Sequence, residues 1–261
     1  SLATAAENNF WGKATIMEPA MPRTLASDQF GGMPDPDTTM SIPWKYAASG
    51  YSAVWATENT REALFDAMLR KEVYATTGSR ISVRFFGGWN FEEQDAVRPD
   101  VARTGYRKGV PMGGDLSAKN ADRPGFIVVA LKDPNGANLD RIQIVKGWLD
   151  ADGEPQEKVY NIAVSDNRRI GRNGRVKPLK STVNAAQASY TNTIGAAQLS
   201  VYWQDPDFDA KQRAFYYARV IEIPTPRWTA YDALRMGAEL NPATPMKIQD
   251  RAYTSPIWYS P

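Results

Sequence analysis

From Arg80 onward the sequence alternates apolar and polar residues with a period of two, and this pattern constrains the fold more than any other feature. Strands are predicted at six segments, most of them separated by turn-rich stretches: 80–86, 126–131, 141–148, 158–164, 198–203 and 214–223. Because alternation places the apolar side chains on one face of a sheet, this many short strands favours an antiparallel β-sandwich. We expect 141–148 and 158–164 to form a hairpin around the Asp-Ala-Asp-Gly turn at 150–153.

The segment before Arg80 has a different pattern. The apolar stretch 51–56 reads as a strand, and Asn59 and Glu62 have the spacing of a capping box at a helix start. Apolar residues then recur in steps of three and four until about Glu72, and 73–78 is extended again. This order predicts a β-α-β-like unit whose two strands pair in parallel.

Three stretches of the sequence lack the regular spacing of apolar residues that indicates a helix or a strand. Residues 1–47 are rich in Pro, Gly, Met and Asp and are predicted to form a long connecting loop. The polar stretch 165–196 and the proline-rich tail after Pro224 are expected to run over the surface. Within the tail, 231–236 is predicted as a short helix with Gly237 just past its end.

The 261 residues include no histidine and no cysteine, which excludes a Ser-His-Asp triad, histidine- or thiolate-ligated zinc, iron–sulfur clusters and disulfides. A metal held by this chain alone would be a hard, oxygen-ligated ion such as Ca²⁺ or Mg²⁺. The formal charge of +2 indicates neither a nucleic-acid nor a membrane partner. The first residues lack the basic start and apolar core of a signal peptide, so the compartment stays open, with a periplasmic or secreted location among the alternatives.

Several local clusters have a functional and a structural interpretation. The basic run 168–180 could bind phosphates, but it contains no aromatic residue, which favours a solvated loop or a contact within the same protein. The carboxylates in 150–154 and 205–209 have spacing that suits Ca²⁺, although Asp and Gly are also the commonest turn residues. Aromatic residues at 216–217 and 258–259 could line a ligand groove, or pack in the core.

Six segments together closely resemble the bacterial domain-of-unknown-function family 3604, which is similar to the PHP (polymerase and histidinol phosphatase) metal-dependent phosphoesterases. They are 50–68 (GYSAVWATENTREALFDAM), 74–81 (YATTGSRI), 84–88 (RFFGG), 109–116 (GVPMGGDL), 215–228 (FYYARVIEIPTPRW) and 248–259 (IQDRAYTSPIWY). The resemblance implies an α+β fold, in which the C-terminal remnant of a PHP-like α/β layer is followed by an antiparallel β-sandwich. We expect residues 1–79 to be the end of the PHP-like domain, as a long loop, strand, helix and strand. Residues 80–261 are then the sandwich, an accessory domain with a proline-rich tail.

In that family, the segment resembling residues 1–13 directly follows an Asp-x-His element expected to bind metal, and the other expected histidine ligands lie further upstream. The resemblance therefore implies that this chain is the C-terminal part of a metal-dependent hydrolase, phosphoesterase-like, and is not catalytically complete alone. A divalent metal would be ligated mainly by upstream residues, and the N-terminal remainder of the same protein would be a partner. A small-molecule substrate is expected. The alternative is a β-sandwich binding or assembly module without catalysis.

The resemblance also suggests which residues contact substrate, because open α/β folds place their sites at strand ends. The loop after the expected metal-binding element contributes candidates, and two arginines suit bidentate binding of a phosphate or carboxylate. The candidates are Glu7, Asn8, Asn9, Lys13, Arg61 and Arg80. Both arginines also have a structural interpretation, in which Arg61 pairs with Asp66 or a neighbouring strand and Arg80 braces the domain boundary. No catalytic residue and no metal ligand is assigned within the chain.

Overall fold

The computed structural model describes Ala6, Asn8, residues 48–117 and 123–237, Pro242 and residues 244–261. The helices are α1 (Arg61–Leu69), α2 (Val101–Lys108) and α3 (Trp228–Met236), and short 3-10 helices span Glu93–Val97 and Ala185–Gln187. The first seven strands are β1 (Tyr51–Val54), β2 (Val73–Thr76), β3 (Ser82–Gly88), β4 (Val110–Pro111), β5 (Asp115–Ser117), β6 (Gly125–Leu131) and β7 (Leu139–Leu149). The remaining strands are β8 (Pro155–Val164), β9 (Gln198–Gln204), β10 (Ala214–Glu222), β11 (Thr225–Pro226), β12 (Lys247–Ile248), β13 (Arg251–Thr254) and β14 (Ile257–Ser260). The described part of the chain has the predicted α+β, sheet-rich fold.

Strand β10 organises the larger sheet. One edge of β10 pairs with β7 along the whole length of β10, and β7 also pairs with β8. The other edge pairs with β13 and then with β14. Strand β13 leads on to β2 and β1, and β14 pairs with β5 in parallel. All other pairs in this sheet are antiparallel, so β10 is the strand that joins its two halves.

A second, four-stranded antiparallel sheet has the order β4-β3-β6-β9 and packs face to face with the larger sheet. The core between them combines Phe85 of β3, Phe126 and Val128 of β6, Ile144 of β7 and Tyr216 of β10. Each of these side chains is essentially inaccessible to solvent. This arrangement is the sandwich that the period-two pattern predicts.

The predicted hairpin and the short C-terminal helix are confirmed. Strands β7 and β8 pair across the turn at 150–153, where the Asp150 carboxylate accepts the Asp152 and Glu154 amides. Helix α3 ends at Gly237, whose φ of 60° is left-handed. A glycine tolerates this conformation without the steric cost of a Cβ atom.

The predicted parallel pairing of the first two strands is wrong. Strands β1 and β2 are antiparallel, and the Trp55 amide donates to the Glu72 carbonyl at 3.0 Å, just beyond the ladder. The chain therefore returns to the point where it left the sheet, and α1 is an insertion in a hairpin. A crossover helix would cover the sheet, whereas α1 buries only Ala67. The helix cap also differs, because Thr60 and not Asn59 accepts the Ala63 amide.

The predicted division near residues 77–80 does not coincide with a break in the sheet. Strand β2 lies between β1 and β13, so it is hydrogen-bonded to strands on both sides of that division. The assignment of residues 1–79 to a PHP-like layer stays a prediction. Among the described residues, no helix combines the length and apolar character that crossing a membrane requires.

The expectation that the proline-rich tail runs over the surface is wrong for its last residues. Strands β13 and β14 are integral to the larger sheet, and Ala252, Ile257 and Tyr259 are buried in the core. Both strands alternate buried and more exposed residues, but each is only four residues long and the Ser255-Pro256 turn interrupts the pattern between them. Pro256 needs no ladder hydrogen bond because it lies between the two strands.

Candidate functional site

A pocket of about 230 Å³ lies where β2, β10 and β13 meet. The turn after β2 contributes Gly78, Ser79 and Arg80, and the ends of β10 and the approach to β13 contribute Glu222 and Asp250. The remaining lining comes from several other parts of the chain: Ala6 and Asn8; Tyr51; Asp133, Asn135, Gly136 and Ala137; Tyr190; Thr225 and Pro226; and Tyr231. The pocket therefore combines chain segments that are far apart in sequence.

The position of Asp250 is fixed by the turn after β2. The Thr77 hydroxyl donates to Asp250 Oδ1 at 2.6 Å, and the same oxygen of Thr77 accepts the Arg251 amide at 3.0 Å. The Thr77 amide donates to the Arg251 carbonyl at 2.9 Å. Burial raises the pKa of the Asp250 carboxyl, while the Thr77 hydrogen bond and the charge of Arg251 oppose that shift.

Glu222 is the most perturbed acid of the pocket. Its residue is 1% exposed, and its Oε1 atom has no hydrogen-bond partner within the described chain. Burial, followed by the charge of Asp250, raises the pKa of the Glu222 carboxyl to about 8. The two acids are held together because the Glu222 amide donates to the Asp250 carbonyl at 2.9 Å. Glu222 therefore carries its proton at neutral pH beside a second acid.

Arg80 lies at the exposed rim of the pocket. Its backbone amide donates to Asp133 Oδ2 at 2.8 Å, while Asp133 Oδ1 accepts the Asn135 amide at 2.9 Å. The Arg80 guanidinium lies 5.9 Å from the centre of the Tyr51 ring, a cation–π distance. No ion pair of the Arg80 side chain is present among the described residues. The backbone of Arg80 is fixed, and its guanidinium remains available to an anion.

Tyr190 adds a phenol to the same pocket. Burial raises the pKa of the Tyr190 hydroxyl, and the charge of Glu222 is the next largest cause. The phenol is therefore a hydrogen-bond donor at neutral pH. A proton-bearing carboxyl, a phenol and a guanidinium form a site suited to an oxyanion-bearing ligand.

The structure brings two of the six predicted residues together. Asn8 and Arg80 line this pocket, although neither composition nor spacing indicated that they meet. Arg61 does not join them: it lies at the start of α1, beside a separate surface hollow formed with Phe65 and Met68. Glu7, Asn9 and Lys13 lie outside the described residues.

Sequence reasoning missed the two carboxyls at the centre of the pocket. A usable signal for Glu222 was present, since it is the one acid in the otherwise apolar run 220–223. An acid in a buried strand is rare unless it is paired or functional. Asp250 has no comparable signal, because its partner Thr77 is 173 residues away.

The pocket does not fit a metal ion by its described residues alone. Oxygen donors such as Glu222 and Asp250 suit a hard cation, but no group of three or more acids is arranged to hold one in the described part of the chain. The unpartnered Glu222 oxygen belongs to a carboxyl that is protonated at neutral pH, which weakens it as a ligand.

Comparison with known proteins gave one match. The model of a family described as "Protein of unknown function (DUF3604)" matches residues 1–261. No curated protein and no solved structure matches the chain.

Proposed function

The chain belongs to the DUF3604 family, and from that premise we propose that it forms one wall of the active site of a metal-dependent hydrolase whose substrates are phosphate esters. The resemblance to PHP enzymes suggests the reaction class. The proposal assigns the metal ligands to histidines upstream of this chain, because the chain itself has none. The protein to test is therefore the full-length one.

The observation that supports this proposal is the position of Asn8. By resemblance, residues 1–13 directly follow a metal-binding element, so a site built on that element should lie close to them. Asn8 lines the same pocket as Arg80, Glu222 and Asp250. A segment next to the expected metal and three groups suited to phosphate-ester chemistry thus share one cavity.

Each group has a specific role in the proposal. The Arg80 guanidinium binds the phosphoryl oxygens, since its planar donors match two of them at once. The Asn8 amide donates a further hydrogen bond. Glu222 holds a proton at neutral pH and donates it to the leaving-group oxygen, while burial and then the charge of Asp250 keep the pKa of Glu222 raised. The bound metal would supply the nucleophile and charge stabilisation.

Hydrolysis of p-nitrophenyl phosphate and bis-p-nitrophenyl phosphate by the full-length protein, with Mg²⁺ or Mn²⁺, tests the proposal. Arg80→Ala should lower kcat/KM by about 100-fold, the loss expected for a charge-assisted bidentate contact. Arg103→Ala, an exposed arginine on α2, removes the same charge elsewhere and should leave the rate unchanged. Equal rates for the two variants, or no hydrolysis of either substrate with either metal, would contradict the proposal.

The second candidate function is a β-sandwich binding module without catalysis. A groove distinct from the pocket, lined by β8 and the loop 171–179, favours it. Full-length protein that binds a ligand in the groove but does not hydrolyse phosphate esters would favour the binding module over the hydrolase.

A further inference from the structure

A groove of about 1010 Å³ lies beside strand β8 and the loop 171–179. It is lined by Lys158, Tyr160 and Asn161 of the edge strand β8 and by residues of the loop 171–179. Trp203, Asp207 and residues of β7 also line it. A cavity of this volume accommodates several sugar-sized units.

Positive charge exceeds negative charge along this groove. Its lining includes four cations, Arg141, Lys158, Arg172 and Arg175, and two acids, Asp140 and Asp207. Both acids are already neutralised. The Asp140 carboxylate accepts from Arg141, from Arg168 and from Gln249 Nε2, the last at 3.2 Å.

The Asp207 carboxylate is also paired: it accepts hydrogen bonds from the Lys158 ammonium and from the Tyr160 hydroxyl, the latter at 2.6 Å. Arg172 and Arg175 form no ion pair among the described residues. The two loop arginines are therefore the cations available to a bound anion.

The loop that carries these arginines is ordered by hydrogen bonds. The Gly171 amide donates to the Arg175 carbonyl and the Gly174 amide to the Gly171 carbonyl, both at 2.8 Å. The Asn161 side chain of β8 donates to the Gly174 carbonyl, also at 2.8 Å. Arg168 secures the loop's far end through the Lys177 carbonyl at 2.9 Å. The backbone that presents Arg172 and Arg175 is thus held in place before a ligand arrives, which lowers the entropic cost of binding.

The rest of the groove offers aromatic faces. The Tyr160 and Trp203 rings lie 4.9 Å apart at 49°, and both are partly exposed. Gln143 and Asn161 also line the groove, but their side chains are joined to each other by a 2.8 Å hydrogen bond, and each has a further protein partner, Arg219 for Gln143 and Gly174 for Asn161. Aromatic faces pack against sugar rings, and guanidinium groups bind carboxylate or sulfate.

We propose that this groove binds an acidic oligosaccharide, with Arg172 and Arg175 binding its carboxylate or sulfate groups and Tyr160 and Trp203 packing against its rings. The site is distinct from the pocket but adjoins it: Gln249 lines the groove, and the next residue, Asp250, lines the pocket. Binding at the groove does not depend on hydrolysis.

Isothermal titration of the full-length protein against four probes tests this proposal. Tetragalacturonate and a chondroitin sulfate tetrasaccharide carry rings and anions, maltotetraose carries rings alone, and tetraglutamate carries anions alone. At least one acidic saccharide should bind at least about tenfold more tightly than maltotetraose and tetraglutamate, the difference expected for roughly one charge-assisted hydrogen bond or stacked ring.

Two double variants separate specific binding from general attraction. Arg172→Ala/Arg175→Ala should weaken binding of the acidic saccharide about tenfold or more. Arg169→Ala/Lys180→Ala removes two charges from the same basic run but outside the groove lining, and should leave affinity within about twofold. The proposal is overturned if neither acidic saccharide binds, if tetraglutamate or maltotetraose binds equally well, or if the two double variants weaken binding equally.

Discussion

The Thr77 hydroxyl donates a 2.6 Å hydrogen bond to Asp250 Oδ1 across 173 residues of sequence. The same Thr77 oxygen accepts the Arg251 amide, so one side chain positions both the acid and the start of β13. Residues on either side of the predicted boundary near 79–80 are thereby joined in one local structure. This contact connects the fold of the larger sheet to the candidate site.

Replacing Thr77 by Val should destabilise the protein while leaving its shape intact. The change removes the partner of Asp250 Oδ1 and of the Arg251 amide, which costs about 1–3 kcal/mol for partly buried groups. Chemical denaturation should detect the loss as a lower transition midpoint with an unchanged slope. Thr77→Ser keeps the hydroxyl and should stay close to the parent protein; a Val variant as stable as the Ser variant would argue against this positioning role.

The period-two pattern was sufficient to predict the six main strands and the β7–β8 hairpin. Pairing within a hairpin is local, so residue types and the turn at 150–153 determined it. The direction of β1 against β2 depended on the path of the chain between them, where α1 is inserted in the hairpin. The membership of β13 and β14 in the sheet depended on long-range pairing. Sequence periodicity carries no information about which distant strand is the neighbour.

The candidate site was predictable only in part for the same reason. Arg80 was identified from resemblance and from its guanidinium group, and Asn8 from resemblance. Glu222 and Asp250 meet because β10 ends next to the start of β13, where the Glu222 amide bonds to the Asp250 carbonyl. No local spacing encodes that contact.

The buried Glu222 should make the stability of the protein depend on pH. Its pKa is raised from 4.5 to about 8, so the folded state holds the proton more tightly than the unfolded chain. The stabilising contribution is present below pH 4.5 and is lost as pH rises through about 8. Glu222→Gln, which cannot ionise, should therefore match the parent protein near pH 5 and melt several degrees higher above pH 8, since one pKa unit corresponds to about 1.4 kcal/mol.

The control for this measurement is the exposed Glu154→Gln, which should shift the melting temperature little at either pH. If Glu222→Gln and the parent protein keep the same difference in melting temperature from pH 5 to pH 9, Glu222 does not retain a proton in the folded state.

A buried ion pair in the sandwich core should be sensitive to the loss of one partner. The Lys146 ammonium lies 2.6 Å from Asp205 Oδ2, and both side chains are almost fully buried. The Tyr216 hydroxyl donates to the same carboxylate at 2.8 Å. Asp205→Ala leaves the Lys146 charge uncompensated, which should lower the free energy of unfolding by about 3–5 kcal/mol.

The double variant Lys146→Met/Asp205→Leu removes both charges and should recover most of that stability. Breaking the exposed pair Arg98–Asp100 by Arg98→Ala should cost less than about 1 kcal/mol. A double variant no more stable than Asp205→Ala would show that lost packing, and not the unpaired charge, causes the destabilisation.

Two glycines with similar backbone angles should differ in their tolerance of a side chain. Gly113 has φ +86° and Gly153 has φ +83°, so alanine is strained at both. A Cβ at Gly113 would lie 2.3 Å from the Lys71 carbonyl oxygen, whereas one at Gly153 would meet nothing within 4 Å. Gly153→Ala should cost about 1–2 kcal/mol, and Gly113→Ala clearly more; equal melting temperatures for the two would contradict the close approach.

The pH dependence of phosphate-ester hydrolysis by the full-length protein distinguishes a proton-donating Glu222 from a purely structural one. If Glu222 donates its proton to the leaving group, kcat of the parent protein should fall as pH rises through about 8, where Glu222 ionises. Glu222→Gln should lower kcat by about 100-fold or more and abolish that fall. A Glu222→Gln variant with the parent's rate and the parent's pH profile would show that Glu222 is not the proton donor.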